Sequence, residues 1–183
     1  TTVVLTMALA PLCQFGLKAV MVTTLQAISG AGYPGVASWD ILGNVIPFID
    51  GEEPKVESEP LKILGRLHDK RVEPHPAKVS AQTTRVGVLN GHTETVSVAL
   101  DQRPTPDAII DAWRTFKGKP QLMELPSAPA QPIVYLTERN RPQPALDVDR
   151  GRGMTVSVGR LRPCLVLDYK FVALGHNTIR GAA

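Results

Sequence analysis

Alternating apolar and polar residues predict two strands in the middle of the chain, separated by one short break. Apolar residues alternate over 86–88 before the break and over 96–100 after it. Asn90-Gly91 lies between the two runs, and both residue types accept a positive φ angle. The pattern therefore predicts a tight reversal or bend at this dipeptide.

The break matters because it separates two side chains that can do chemistry, Arg85 and His92. On one unbroken strand they would face opposite sides of the sheet and lie roughly 23 Å apart. A bend at Asn90-Gly91 would let the guanidinium and the imidazole point into one pocket. The alternative is a plain hairpin that carries a surface arginine and a surface histidine, and this stretch alone does not decide between them.

Hydrophobic periodicity along the rest of the chain predicts one α+β domain with a mostly antiparallel sheet. A glycine-rich turn at 29–35 follows the first predicted strand, but its spacing fits neither common phosphate-binding loop. Loops are predicted at 68–76, 125–132 and 141–144. Helices are predicted at 3–12, 37–42, 51–64, 104–116 and from 175 onward, and further strands at 17–28, 154–161 and 165–174.

Composition narrows the class of protein. A chain of 183 residues with a net charge of +3 and 5% aromatic residues is large enough to bury a core, and no nucleic-acid-binding motif accompanies its basic C-terminal region. The apolar N-terminal run is too short to span a bilayer and lacks a basic leader. Cys13 and Cys164 predict buried thiols in a reducing, cytoplasmic compartment. The spacing of His68 and His75 suits no metal, so both histidines are expected to be solvated.

Four segments in register resemble one family, the aspartate-semialdehyde dehydrogenases of the archaeal and fungal type. Two proline-rich stretches, at 125–129 and 142–144, resemble the same branch. The resemblance covers nearly the whole chain. The four segments are QAISGAGYPG (26–35), EEPK (52–55), RVGVLNGHTE (85–94) and GHNTIRGAA (175–183).

The resemblance implies a domain like the C-terminal domain of glyceraldehyde-3-phosphate dehydrogenase, with a mostly antiparallel or mixed sheet and helices on one face. Residues 1–183 would be the catalytic and dimerisation domain of a reductase that converts L-4-aspartyl phosphate to L-aspartate 4-semialdehyde with NADPH. The family's N-terminal NADP-binding domain and its nucleophilic cysteine do not occur in this sequence, and Thr1-Thr2 resembles the residues just after that cysteine. We expect the chain to be inactive by itself and to form a homodimer or tetramer.

The resemblance also implies a role for each matched residue. His92 would be the acid/base histidine, and Gln26 would orient the substrate. Arg85 would bind the substrate carboxylate, Glu52 its ammonium group and Lys55 the phosphate. The residues implied to lie against the nucleotide are Ser29, Gly30, Gly32 and Asn177, with Asn177 near the nicotinamide carboxamide, and no metal is implied.

Two other functions remain open from the sequence. One is a non-catalytic dimerisation module that keeps the ancestral pocket. The other is a related acyl-phosphate or acyl-CoA reductase, such as N-acetylglutamyl-phosphate reductase, although Glu52 argues against substrates without a free amine. Glu52 and Glu53 also have a purely structural interpretation, because acidic residues in the first turn stabilise a helix end.

Overall fold

The computed structural model of the chain describes residues 1–180, and its largest element is a seven-stranded mixed sheet. A separate two-stranded hairpin consists of β3 (Arg66–His68) and β4 (Arg71–Glu73). The strands of the large sheet are β1 (Leu17–Gln26), β2 (Val45–Ile46), β5 (Lys78–Val86), β6 (His92–Leu100), β7 (Ile133–Leu136), β8 (Val156–Pro163) and β9 (Tyr169–Gly175), in the spatial order β2-β5-β1-β6-β9-β8-β7.

Four of the six strand pairings in this sheet are antiparallel, which confirms the predicted α+β class with a mostly antiparallel sheet. The parallel pairs are β1 with β5 and β7 with β8. The helices are α1 (Thr2–Leu9), α2 (Ser38–Ile41), α3 (Glu52–Ile63), α4 (Pro106–Thr115), α5 (Lys119–Leu122) and α6 (Pro144–Asp147).

The core lies between the sheet and the helices α1 and α4. Helix α1 is apolar almost all round, continues as a 3₁₀ turn and ends at Gly16, whose φ of 73° suits a glycine. Trp113 of α4 stacks on Tyr135 with ring centroids 5.8 Å apart, meets Phe171 edge-on, and donates its indole N–H to the Ala8 carbonyl oxygen. This aromatic cluster fixes α4 and α1 on the same face of the sheet.

The opposite face of the central strands is open. Side chains alternate along β1 from Ala19 to Gln26, so Val20 and Val22 are buried while Met21 between them is 53% exposed. The strand predicted at 17–28 therefore forms, but it is buried on one face only. Small uncharged residues continue this open face on β5 and β6, and we call the whole set the outer face: Met21, Thr23, Leu25, Ser80, Gln82, Thr84, Thr93, Thr95 and Ser97.

Helix α3 begins at the predicted Gly51–Glu52 boundary and lies beside β5. The carboxylate of Glu53 accepts the backbone N–H of Thr83 at 3.0 Å, and that of Glu57 accepts the N–H of Ala81 at 3.0 Å. Two donors of β5 are thus satisfied by side chains rather than by another strand. Glu53 therefore does more than stabilise its own helix end.

Several predicted boundaries were wrong. The loop predicted at 68–76 contains β4 and the end of β3, strand β7 was missed, and the strand predicted from 165 starts only at Tyr169. The described part of the helix predicted after Gly175 is a turn over 177–180, and residues 181–183 lie outside the described part of the chain. None of the helices within residues 1–180 is long and apolar enough to cross a membrane.

Candidate functional site

Arg85 and His92 are brought together, but not by a hairpin. Strands β5 and β6 are not neighbours, because β1 lies between them, parallel to β5 and antiparallel to β6. Gln26, the last residue of β1, pairs with Arg85, and Leu25 pairs with Thr93, so His92 lies on the other side of Gln26. The three side chains form one buried row at the end of three strands, 3–8% exposed.

Both ends of this row bind the backbone of Ala27. Nη1 of Arg85 donates to the Ala27 carbonyl oxygen at 2.9 Å, and the Ala27 N–H donates to Nδ1 of His92 at 3.1 Å. Because Nδ1 accepts this bond, the neutral imidazole carries its own proton on Nε2. His92 therefore presents an N–H donor on the side of the ring that faces away from Ala27.

Gly30 covers that side of the ring at close range. A Cβ at this position would lie 3.1 Å from Nη1 of Arg85, 3.1 Å from Cε1 of His92 and 3.3 Å from its Nε2. Any side chain here would press on both groups, so the backbone of the glycine-rich turn leaves room that a larger residue would fill. Gly32 has a φ of 70° and open space around it.

The electrostatics keep His92 neutral. Burial, followed by the positive charges of the Thr1 amino group and of Arg85, lowers the pKa of His92 to about 3. Burial lowers the pKa of Arg85 below its ordinary value, and the nearby carboxylate of Glu52 opposes this effect only in part. A neutral imidazole beside a guanidinium is suited to binding an anion and to donating hydrogen bonds.

Glu52 enters the site from the first turn of α3. Its Oε1 accepts hydrogen bonds from the hydroxyl of Thr1 at 2.6 Å and from Nε2 of Gln26 at 3.2 Å. Burial alone would raise its pKa, but these two bonds, the Thr1 amino group and Lys55 lower it overall. Lys55 itself is exposed, three residues further along the same helix.

Asn177 ties two loops of the site together. Its Oδ1 accepts the N–H of Gly91 at 2.8 Å, and its Nδ2 donates to Oγ of Ser29 at 2.8 Å. Gly91 has a φ of 99°, as the predicted bend requires, and a Cβ there would press on Val148 and Leu174. Both polar ends of the Asn177 side chain are therefore engaged within the protein, between the bend and the glycine-rich turn.

Sequence reasoning missed Glu94, although a signal was present. It alternates in phase with Val96 and Val98 on β6, which predicts a side chain directed into the core. In the structure it is 0% exposed, and neither carboxylate oxygen has a hydrogen-bond partner among the described residues. Asp147 was missed as well, and no pattern of spacing indicated that it would be buried.

The two cysteines are separate free thiols outside this site, and both are half-buried rather than buried as predicted. Of the two histidines predicted to be solvated, His68 is exposed. His75 is half-buried, and its Nδ1 accepts the N–H of Ala77 at 3.2 Å. Burial and the charge of Arg66 lower the pKa of His75.

Residues 9–180 match the sequence profile of the semialdehyde dehydrogenase dimerisation domain. The chain belongs to this family. It is 48% identical over its whole length to the aspartate-semialdehyde dehydrogenase of Archaeoglobus fulgidus, of which it covers 52%. It is 47% identical over 185 residues to the Saccharomyces cerevisiae enzyme, an alignment that covers 96% of this chain and 51% of that protein.

The fold agrees with the family. The crystal structure of the Candida albicans aspartate-semialdehyde dehydrogenase with NADP superposes with a TM-score of 0.89 at 44% identity, covering 99% of this chain and 52% of that one. The resemblance inferred from four segments is thus confirmed, as is the fold class that it implied. This semialdehyde dehydrogenase domain spans about half the length of the relatives it matches.

Proposed function

We propose that this chain is the catalytic and dimerisation domain of an NADP-dependent aspartate-semialdehyde dehydrogenase, which reduces L-4-aspartyl phosphate to L-aspartate 4-semialdehyde. One observation carries the proposal. Arg85 and His92, from two strands that are not neighbours, both bind the backbone of Ala27 and flank Gln26. Free thiols such as Cys13 and Cys164 are consistent with work in the cytoplasm.

His92 would act at the acyl group of the substrate. Its Nε2–H is the free donor of a neutral ring, held in orientation by the Ala27 N–H on Nδ1. A fixed donor in a dry site stabilises negative charge that develops on a carbonyl oxygen more than water does. Taking up a further proton would have to occur at Nδ1 and would break the bond to Ala27, so we assign to the neutral His92 the role of a hydrogen-bond donor through its Nε2–H.

The ends of the substrate would be held by opposite charges. Arg85 offers a planar fork to a carboxylate, and Glu52, whose pKa is lowered, is an anion that can pair with an ammonium group. Gln26 lies between them and donates to Glu52, which fixes its amide. Lys55, exposed on the same helix as Glu52, is free to reach a phosphate, which is the leaving group of this reaction.

The residues of the glycine-rich turn fit a nucleotide. Gly30 leaves room beside His92 that a Cβ would fill, and Ser29 and Gly32 lie next to it with little side chain. NADP, which accompanies the Candida albicans enzyme in its crystal structure, would supply the hydride when bound. Asn177 would hold the turn in place through Ser29, since both ends of its side chain are already bonded.

The proposal is tested by an assay with L-aspartate 4-semialdehyde, inorganic phosphate and NADP. The 183-residue chain alone is expected to show no turnover, because the resemblance assigns the thiol and most of the nucleotide site to a preceding domain. The longer protein, of the length of the relatives, is expected to be active. Turnover by the short chain, or an inactive long protein, would contradict the assigned function.

Arg85→Lys keeps the positive charge but loses the bidentate fork, so we expect the KM of the longer enzyme for the semialdehyde to rise about 10- to 100-fold. The comparison is steady-state kinetics beside Arg103→Lys, an exposed arginine away from the site, which should behave as wild type. An unchanged KM in Arg85→Lys would remove this residue from the substrate site.

We expect the chain to self-associate through its outer face, which is uncharged over nine neighbouring positions and is not covered by the helices within residues 1–180. Sedimentation velocity should show a dimer, or a tetramer built from it. Met21→Arg should shift it to a monomer with an unchanged circular dichroism spectrum. Asp111→Arg, on the helical side, is the matched control and should remain associated. A wild-type monomer at high concentration would refute the expectation.

A further inference from the structure

Glu94 lies directly behind the row formed by Arg85, Gln26 and His92. It is two residues from His92 on β6, on the same face of the sheet, and pairs with Thr24 of β1, which is two residues from Gln26. Nε2 of Gln26 donates to Oγ1 of Thr24 at 3.3 Å, so the two rows are joined. A carboxyl group thus sits one residue-pair deeper than the proposed substrate site.

The surroundings of Glu94 are unusual for a carboxyl group. It is 0% exposed, and both oxygens lack a hydrogen-bond partner among the described residues. Thr83, in the same cross-strand row, also has a buried hydroxyl without a partner among those residues. An ionised carboxylate left unpaired in the interior is very costly, whereas the neutral acid is tolerated.

Glu52 and Glu94 differ sharply, although Glu52 contacts Gln26 and Glu94 lies only one residue pair away from it. Glu52 is half-buried and accepts two hydrogen bonds, which favours its anionic form. Burial and then the neighbouring Glu52, against the opposing charge of the Thr1 amino group, raise the pKa of Glu94 to about 8. Two neighbouring carboxyl groups whose surroundings shift their pKa values in opposite directions are suited to different roles.

The charged group that acts on Glu94 from a neighbouring element is Glu52 of α3, while β9 contributes only Ala173 at the paired position. His92 and Arg85 lie in the adjacent row, and Lys55 lies beside Glu52. The Thr1 amino group also acts on Glu94 in the 183-residue chain, but in the longer enzyme this nitrogen would be part of a peptide bond. With Glu94 neutral, Arg85 can hold a ligand carboxylate without a second negative charge behind the row. With Glu94 ionised, its negative charge opposes the binding of that carboxylate.

We propose that Glu94 is a positioning residue that works as a neutral carboxylic acid, and that its ionisation at alkaline pH weakens the binding of the substrate carboxylate at Arg85. This inference rests on the proposed function, because it takes the carboxylate of the substrate to be held at that row. Glu94 itself touches no substrate. It acts through Arg85 and through the Thr24–Gln26 contact, by setting the net charge behind them.

The kinetic test compares wild type with Glu94→Gln in the longer enzyme between pH 6.5 and 9.5. In wild type, KM for the semialdehyde should rise across this range as Glu94 ionises. Glu94→Gln cannot ionise, so at pH 9.5 its KM should be about tenfold below that of wild type, the effect of one unit charge at partly screened range. Titration of the substrate or of other side chains affects both proteins equally. A KM that rises equally in both would overturn the inference.

A second measurement does not depend on activity. Infrared difference spectroscopy should detect the carbonyl stretch of a protonated buried carboxylic acid in wild type at pH 6.5, lost at high pH and absent from Glu94→Gln. Ser157→Ala removes another buried oxygen that has no partner within residues 1–180, on β8 and outside the site, and should leave both the band and the KM profile as in wild type.

The kinetic and the infrared measurement together distinguish a failure of the inference about Glu94 from a failure of the proposed function. A wild type that lacks the protonated-acid band at pH 6.5 overturns the inference even if the enzyme is active. A wild type without turnover contradicts the proposed function instead, and the infrared band still decides whether Glu94 holds its proton. If Glu94→Gln does not fold, Glu94→Asp, which keeps an ionisable group, should retain the band and the rise in KM.

Discussion

Replacing His92 by asparagine is expected to lower kcat of the longer enzyme by about 10²–10⁴-fold, with a smaller effect on KM. Asparagine can still accept the N–H of Ala27 through its side-chain oxygen, so the backbone around the site should remain in place. What it loses is the Nε2–H that faces Gly30 and the proposed acyl group. The loss should therefore fall on chemistry rather than on folding or substrate capture.

His75→Asn is the matched control for this experiment. His75 is also partly buried, its Nδ1 also accepts a backbone N–H, and burial also lowers its pKa. It lies outside the row at the end of β1, so its replacement should leave kcat and KM unchanged. Equal kinetics for the two variants would place His92 outside the active site and would return Arg85 and His92 to the status of structural residues.

Asp147→Ala is expected to destabilise the domain by roughly 2–3 kcal/mol, less than the cost of breaking a fully buried ion pair, because the side chains of Arg141 and Arg150 are 18% and 38% exposed and can turn to solvent. Asp147 is 1% exposed. It accepts hydrogen bonds from both Nε and Nη2 of Arg141, from Nε of Arg150 and from the backbone N–H of Gln143. Without it, two guanidinium groups and one amide would lose their common acceptor.

Chemical denaturation beside Asp149→Ala would measure this effect. The side chain of Asp149 is 85% exposed, so its removal should change stability by less than about 0.5 kcal/mol. Burial would raise the pKa of Asp147, but the hydrogen bonds from Arg141, Gln143 and Arg150 lower it to about 2. Its contribution is therefore present above the ordinary pKa of 3.8 and is lost as the pH falls towards 2. Similar stabilities for the two variants at pH 7 would contradict the prediction.

The sequence was sufficient for the elements whose signals are local. Helix α4 has a capping threonine, a proline in its first turn and one apolar face, and it begins and ends close to the predicted positions. Helix α3 likewise begins where Gly51 and two glutamates indicate. In both cases the sequence near the helix end and the tertiary packing favour the same boundary.

What the sequence could not provide was the order of the strands. Two alternating runs separated by Asn-Gly are typical of a hairpin, and nothing local reveals that β1, some sixty residues earlier, inserts between them. The sequence could not predict the ion cluster around Asp147 either, because its partners come together only when the loop over 141–150 is folded. The four segments that resemble the family supplied this information, because members of one family share the same arrangement of strands.

The burial of Glu94, unlike the order of the strands, follows from a local pattern in the sequence. A period of two along 92–100 puts His92, Glu94, Val96 and Val98 on one face, and the valines identify that face as internal. A charged residue in phase with core valines is one of the few signs of a functional group that a single sequence can give.

The insertion of β1 between β5 and β6 makes the site sensitive to strand register. Gln26, Arg85 and His92 share a row only in one pairing of three strands, two of them more than fifty residues apart from the first. A slip of β1 by a single residue would turn Gln26 to the outer face and carry the Ala27 backbone away from both of its side-chain partners. Such non-local pairing forms slowly, so the site should be among the last parts of the domain to assemble during folding.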